Sequence, residues 1–307
     1  MEKIAIRDAY GDALKELGNR NDRIVALEAD VGGSTKSKIF GDAFPNRYYQ
    51  VGISELNMVA MAAGMASAGL VPFVNTFSAF LATRGGDVIQ SLIAYDKLNV
   101  KLAGTYVGMS DSYDGASHHA ITDVAFLRAI PGMVVITPSD AVMTKKAVLA
   151  AAEYEGPVYL RLSRAPAPVM YNEDEIFEIG KGIKCRDGKD VTLISTGTLL
   201  SKVVEAAELL EKEGVRAEVI DMQTLKPFDA KLVIQSARKT GAVVTVEENS
   251  IWGGLFSAVS EALIGTYPIP VVGIGLNDFA ESGDYEQLLT KYGFSAQNIV
   301  SKVREII

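Results

Sequence analysis

Ser54-Glu-Leu-Asn-Met-Val-Ala-Met-Ala-Ala-Gly-Met-Ala-Ser-Ala68 is followed, after Gly69-Leu70, by Val71-Pro-Phe-Val-Asn75 and Thr76-Phe-Ser-Ala-Phe80. Apolar residues fall at helical spacing in the first run, which reads as a helix over Glu55 to Ala68 with Ser54 as its N-cap. Its small side chains and few charges predict burial against other helices. The run after it reads as a strand. Arg23 to Glu28, Arg47 to Val51, Val100 to Thr105, Met133 to Thr137 and Val158 to Leu162 extend the alternation on both sides. That pattern predicts an α/β fold, with a mainly parallel sheet flanked by helices.

Composition shifts between Ala165 and Lys189, where Ala165-Pro-Ala-Pro168 and Asn172-Glu-Asp-Glu175 precede Gly180, Gly182 and Gly188. Residues 173–189 read as a linker between two domains, 1–172 and 190–307. The second domain restarts the alternation: strands at Val191 to Thr196, Ala217 to Met222, Ala242 to Glu247 and Val271 to Ile274, with a helix over Leu199 to Glu213. A chain of 307 residues with 48% hydrophobic and 22% charged residues is long enough for two compact cores and reads as soluble. The formal charge of −8 disfavours nucleic acid, whose binding rests on clustered cations. Charges interrupt every apolar stretch before membrane-spanning length, and no signal peptide stands at the start, so a cytoplasmic location is expected. The single cysteine, Cys185, excludes an internal disulfide; with two adjacent histidines it leaves no zinc-type ligand set.

The residues that carry chemistry come in a fixed order. Glu55 puts one carboxylate in the first turn of an apolar helix, where it could share a proton with a nitrogen base. Phe77 and Phe80, three apart, would face the same side of a helical turn. Asp114-Gly-Ala-Ser-His118-His119 holds the only two histidines, and Leu162-Ser-Arg164 ends a strand in arginine. Taken singly, these are a capping glutamate, a core aromatic pair, a polar turn and a surface charge. Arg7 and Ser34 read alone as a surface charge and a helix cap, and Asp30 as a turn residue.

Their order, together with Phe126-Leu-Arg-Ala-Ile-Pro-Gly-Met133, resembles the half of transketolase that binds the aminopyrimidine ring of thiamine diphosphate. The resemblance covers almost the whole chain. Leu225-Lys-Pro-Phe-Asp229 and Val246-Glu-Glu-Asn249 extend it into the C-terminal domain shared by that family. Missing is the Gly-Asp-Gly with a downstream Asn that holds the diphosphate and its metal.

The resemblance implies a thiamine diphosphate pyrimidine-binding fold followed by a transketolase C-terminal-like domain. Glu55 would contact N1′ of the pyrimidine, Phe77 and Phe80 would wall the ring, and Asp30 would lie between cofactor and substrate channel. Asp114 and His118 would bind substrate hydroxyl and carbonyl groups, with His118 assisting proton transfer. Arg7, Ser34 and Arg164 would hold a distal phosphate. In three places the chain departs from the family pattern: Thr83 replaces a tyrosine, His119 a glutamine, and Thr105-Tyr106 stands where another histidine is usual. The reading implied is the C-terminal subunit of a split transketolase, working in an α2β2 assembly. An N-terminal partner subunit would carry the diphosphate-binding domain with Mg2+ or Ca2+, and the substrates would be sugar phosphates. A 2-oxoacid dehydrogenase β subunit, half of a deoxyxylulose-phosphate synthase-like enzyme, and a non-catalytic subunit are the alternatives.

Overall fold

The computed structural model describes residues 2–307. Its strands are β1 (Lys3–Ala5), β2 (Ile24–Glu28), β3 (Tyr48–Gln50), β4 (Val71–Phe77), β5 (Lys101–Thr105), β6 (Val134–Ile136), β7 (Val158–Leu162), β8 (Pro166–Pro168), β9 (Ile183–Arg186), β10 (Val191–Ser195), β11 (Ala217–Asp221), β12 (Thr224–Lys226), β13 (Val243–Ser250) and β14 (Val271–Leu276). A seven-stranded sheet runs β12-β6-β7-β5-β4-β2-β3, and a five-stranded sheet runs β14-β13-β10-β11-β9. Every pairing in both is parallel except those of β12 with β6 and β9 with β11. Strands β2, β5, β6, β7, β10 and β11 are buried at every position. Sheets covered by helices on both faces demand such strands, which is why the sequence shows continuous apolar runs there instead of alternation.

The expected parallel strands lie where the apolar runs placed them, to within a few residues. The four that were not expected, β1, β8, β9 and β12, are short and antiparallel. Strand β9 lies inside 173–189, the segment expected as a linker, and pairs Arg186 with Val219 and Lys184 with Ile220. Part of that segment is therefore integral to the second sheet. Strand β12 crosses the other way and closes the β6 edge of the first sheet.

The helix expected over Glu55 to Ala68 spans Glu55–Ser67. Ser54 does not cap it: the hydroxyl donates instead to the Val51 carbonyl, at 2.9 Å. Nor is the helix buried all round. Met58, Val59, Ala62 and Ala63 pack into the core, while Leu56 on the outer face is 52% exposed. No helix among the described residues is long and apolar enough to cross a membrane.

The two sheets are tied together by buried polar contacts. On β13, Glu248 accepts from the Met109 amide and the Tyr285 hydroxyl, both at 2.6 Å. Arg161 on β7 donates to the Glu248 carbonyl at 2.9 Å and to Asp123 Oδ2, also at 2.9 Å. These contacts fix the root of the loop that follows β5, which carries Asp111 to His118.

Candidate active site

Ligand sites in open parallel sheets form beyond the carboxyl ends of the strands. Asp30 follows β2, Glu55 follows β3, Phe77 ends β4, Tyr106 follows β5 and Arg164 follows β7. The strands concerned are neighbours, in the order β7-β5-β4-β2-β3. Residues far apart in sequence thus line one rim.

Glu55 is 3% exposed, in the first turn of its helix. Arg84 Nη1 donates to both of its carboxylate oxygens, at 3.0 and 3.1 Å. Half of the Arg84 side chain remains in solvent, and its guanidinium carbon stands 4.0 Å from the centre of the Phe80 ring. Phe77 and Phe80 lie with ring centres 6.0 Å apart, as their spacing predicted, Phe77 closing β4 and Phe80 in the helix Ser78–Arg84. The His118 imidazole meets Phe80 edge-on at 5.1 Å. On its other side Phe77 stacks on Tyr106, with centres 4.3 Å apart.

Tyr106 is one of the two residues that stand where the family pattern has another histidine. It is buried and held at φ 61°, a left-handed conformation that costs a non-glycine residue about 1 kcal/mol and recurs at ligand sites. Arg7 and Arg164 flank its ring, their guanidinium carbons 5.3 and 5.2 Å from the centre. The β1–β8 ladder explains why two residues so distant in sequence meet here. It sets Ala5 opposite Pro166, so Arg7 and Arg164 leave neighbouring ends of the same ladder. Arg7 Nη1 donates to the Ser34 carbonyl at 2.9 Å and also to the Tyr106 hydroxyl. Ser34 therefore meets Arg7 through its backbone. Arg164 Nη1 donates to Asp111 Oδ1 at 2.9 Å. Both arginines border a cavity of about 460 Å³ that the second domain closes with Asp284 and Glu286.

Asp111, Asp114 and His118 offer ligand atoms within 4.8 Å of one another. Of the two histidines only His118 takes part in this mixed oxygen and nitrogen group. Arg164 already supplies a cation to it. Burial, and then the charge of Asp114, push the Asp111 carboxyl up to about 6. His119 is buried, with neither ring nitrogen partnered, and burial lowers its basicity.

Glu55, Phe77, Phe80, His118, Asp114, Arg7 and Arg164 thus form one connected set. Asp30 stands apart: it accepts from Gln50 Nε2 at 2.7 Å, beside a separate cavity of about 400 Å³ bordered by Glu28 and Tyr48. Sequence reasoning missed Arg84 and Asp111 as members. Arg84 was visible only as the neighbour of the anomalous Thr83, and nothing local distinguishes Asp111.

Comparisons with known proteins identify the family. Residues 2–169 match the family described as transketolase, pyrimidine binding domain, and residues 180–299 match transketolase, C-terminal domain. A 6-deoxy-6-sulfo-D-fructose transketolase subunit of Clostridium sp. (strain MSTE9) is 40% identical over 100% of this chain and 95% of its own length. Human transketolase is 41% identical over 100% of this chain, which spans 49% of that enzyme. A solved structure described as a split gene transketolase, inactive beta4 tetramer, superposes with a TM-score of 0.91 at 47% identity, covering 99% of this chain and 98% of its own. The chain therefore belongs to the transketolase family, as the C-terminal section of a split transketolase.

Proposed function

We propose that this chain supplies the pyrimidine side of a thiamine diphosphate site that a partner subunit completes, and that the complex moves a two-carbon ketol unit between sugar phosphates. The partner would bring the diphosphate-binding domain with its Mg2+ or Ca2+, in an α2β2 assembly. Residues 1–172 would form the pyrimidine-binding domain, and 190–307 the C-terminal domain, to which β9 of the preceding segment adds a strand. The relatives described above are transketolases, which favours this reading over an oxoacid dehydrogenase or deoxyxylulose-phosphate synthase half. That a similar chain forms a tetramer of β subunits without activity is what a shared site leads one to expect.

The setting of Glu55 carries the proposal. Its carboxylate already closes on a planar, delocalised nitrogen cation, and that cation lies against the face of Phe80. A protonated aminopyrimidine presents the same features, an N–H edge for the carboxylate and a flat face for the ring. The residues present thus fit the cofactor, with Arg84 holding its place until it swings outward. Bound there, thiamine diphosphate supplies the nucleophilic carbon and the electron sink. Glu55 would hold the proton at N1′, while Phe77 and Phe80 exclude water and fix the ring plane. His118 would bind the donor carbonyl or hydroxyl and move a proton there, with Asp114 accepting from an adjacent hydroxyl. Arg7 and Arg164 would bind the anionic end, with the Ser34 carbonyl holding Arg7 in place, and Asp30 would border the cofactor from the second cavity.

The test is Glu55→Ala in the assembled complex. Turnover should fall by about 10²- to 10⁴-fold, the range for a lost general acid or base, while the subunits still associate. Unchanged turnover would overturn the assignment.

A further inference from the structure

Two arginines facing one cavity suggest a receptor for a doubly charged anion. The surrounding carboxylates argue otherwise. Asp111 is fully buried, binds Arg164 through Oδ1, and leaves Oδ2 buried without a partner. Asp114 and His118 bring their own ligand atoms within 4.8 Å of the Asp111 carboxylate. Arg7 is bound only to neutral oxygens, the Ser34 carbonyl and the Tyr106 hydroxyl. The buried Asp111 carboxylate offsets Arg164, and Arg7 is left at the base of the cavity as the guanidinium with no carboxylate partner. At the rim, Lys3 faces three acids. Asp8 is answered by Lys36 at 3.0 Å and Glu286 by Lys202 at 3.1 Å, and Asp284 caps a helix by accepting from the Gln287 amide. Lys3 pairs with none of them and is matched at the rim by Asp284, the one of the three acids with no cation of its own.

We infer that Asp111 is a specificity-determining residue: by offsetting Arg164 it lets the anion pocket accept a singly charged terminal group, such as a sulfonate, as readily as a doubly charged phosphate. The inference rests on the sugar-binding role proposed for Arg7 and Arg164. It concerns only the charge that they receive. Asp111 also positions Arg164 against Tyr106, so a test must separate charge from geometry. Asparagine does so, keeping an oxygen acceptor for Arg164 without the negative charge.

Calorimetric titration of the full chain near pH 8 decides the matter, with glycerol 3-phosphate as the doubly charged probe and 3-hydroxypropanesulfonate as the singly charged one. Neither probe needs thiamine diphosphate or a partner subunit, so the result is independent of whether ketol transfer occurs. The wild-type chain should bind the two with affinities within about threefold, and Asp111→Asn should tighten the phosphate about tenfold and the sulfonate about threefold. Should the variant not fold, the wild-type ratio still decides. A wild-type preference for phosphate of about tenfold or more would overturn the inference, as would equal gains for both probes in Asp111→Asn, weaker phosphate binding by that variant, or no binding of either probe.

Discussion

Glu55 and Glu248 are buried to almost the same degree, at 3% and 4% exposure, yet they are wired in opposite ways. Glu248 is held by donors that the fold fixes, the Met109 amide and the Tyr285 hydroxyl, and it stitches the second sheet to the loop after β5. Glu55 has for its side-chain partner a half-exposed arginine. Fixed donors make a carboxylate structural, because removing it strands buried groups that cannot reach water. An exchangeable partner leaves a carboxylate ready for a ligand. Burial alone does not distinguish the two; the identity of the partner does.

Alanine substitutions should break the symmetry by costing very different amounts. Glu248→Ala should cost about 3 kcal/mol in urea unfolding, from an orphaned amide, an orphaned hydroxyl and the space left behind. Glu55→Ala should cost less than about 1 kcal/mol, since Arg84 can turn to solvent. Equal losses would mean that Glu55 too is structural. Within the site, Arg164→Ala should raise KM for phosphorylated sugars about tenfold while changing it for free sugars by less than about twofold. Matching shifts for both would remove its role at the anionic end. Arg84→Ala, by freeing Glu55, should tighten thiamine diphosphate binding in the complex by about two- to fivefold, and weaker binding would show that Arg84 is more than a placeholder.

The pH dependence of stability sharpens the same contrast with a smaller effect. Burial pushes Glu247, Glu248 and Asp221 up to about 7, above their ordinary range in an unfolded chain. The folded state thus favours their protonated forms. Stability they contribute is fully present below the ordinary carboxylate range and is lost as pH rises through about 7. The melting temperature should therefore fall from about pH 5 to about pH 8, and Glu248→Gln, which cannot ionise, should remove about 2–4 °C of that fall. A slope unaffected by the substitution would contradict the burial argument.

The parallel core was legible because its strands are continuous apolar runs, a signal that any sheet covered on both faces must carry. The short antiparallel strands were not. Pro166-Ala-Pro168 looks like linker sequence, and its pairing with Lys3–Ala5 depends on a contact across the whole first domain. That hidden ladder is what sets Arg7 beside Arg164. Glu55, Phe77 and Phe80 could be read because they sit at fixed offsets from a helix start and a strand end. Asp111 could not, because its burial comes from a loop folding back under Arg164, which no local spacing encodes. The same limit applied to Ser54, a residue type suited to capping that the turn before the helix uses otherwise.

The central claim is that this chain holds one face of a divided site, with Glu55 turned toward a cofactor that needs the other face to bind. Ketol transfer measured on the purified chain, on a partner bearing the diphosphate-binding domain, and on the two mixed tests it most directly. The account predicts turnover only in the mixture, saturating at a fixed ratio of the chains. Turnover by this chain alone with thiamine diphosphate and Mg2+ would contradict it.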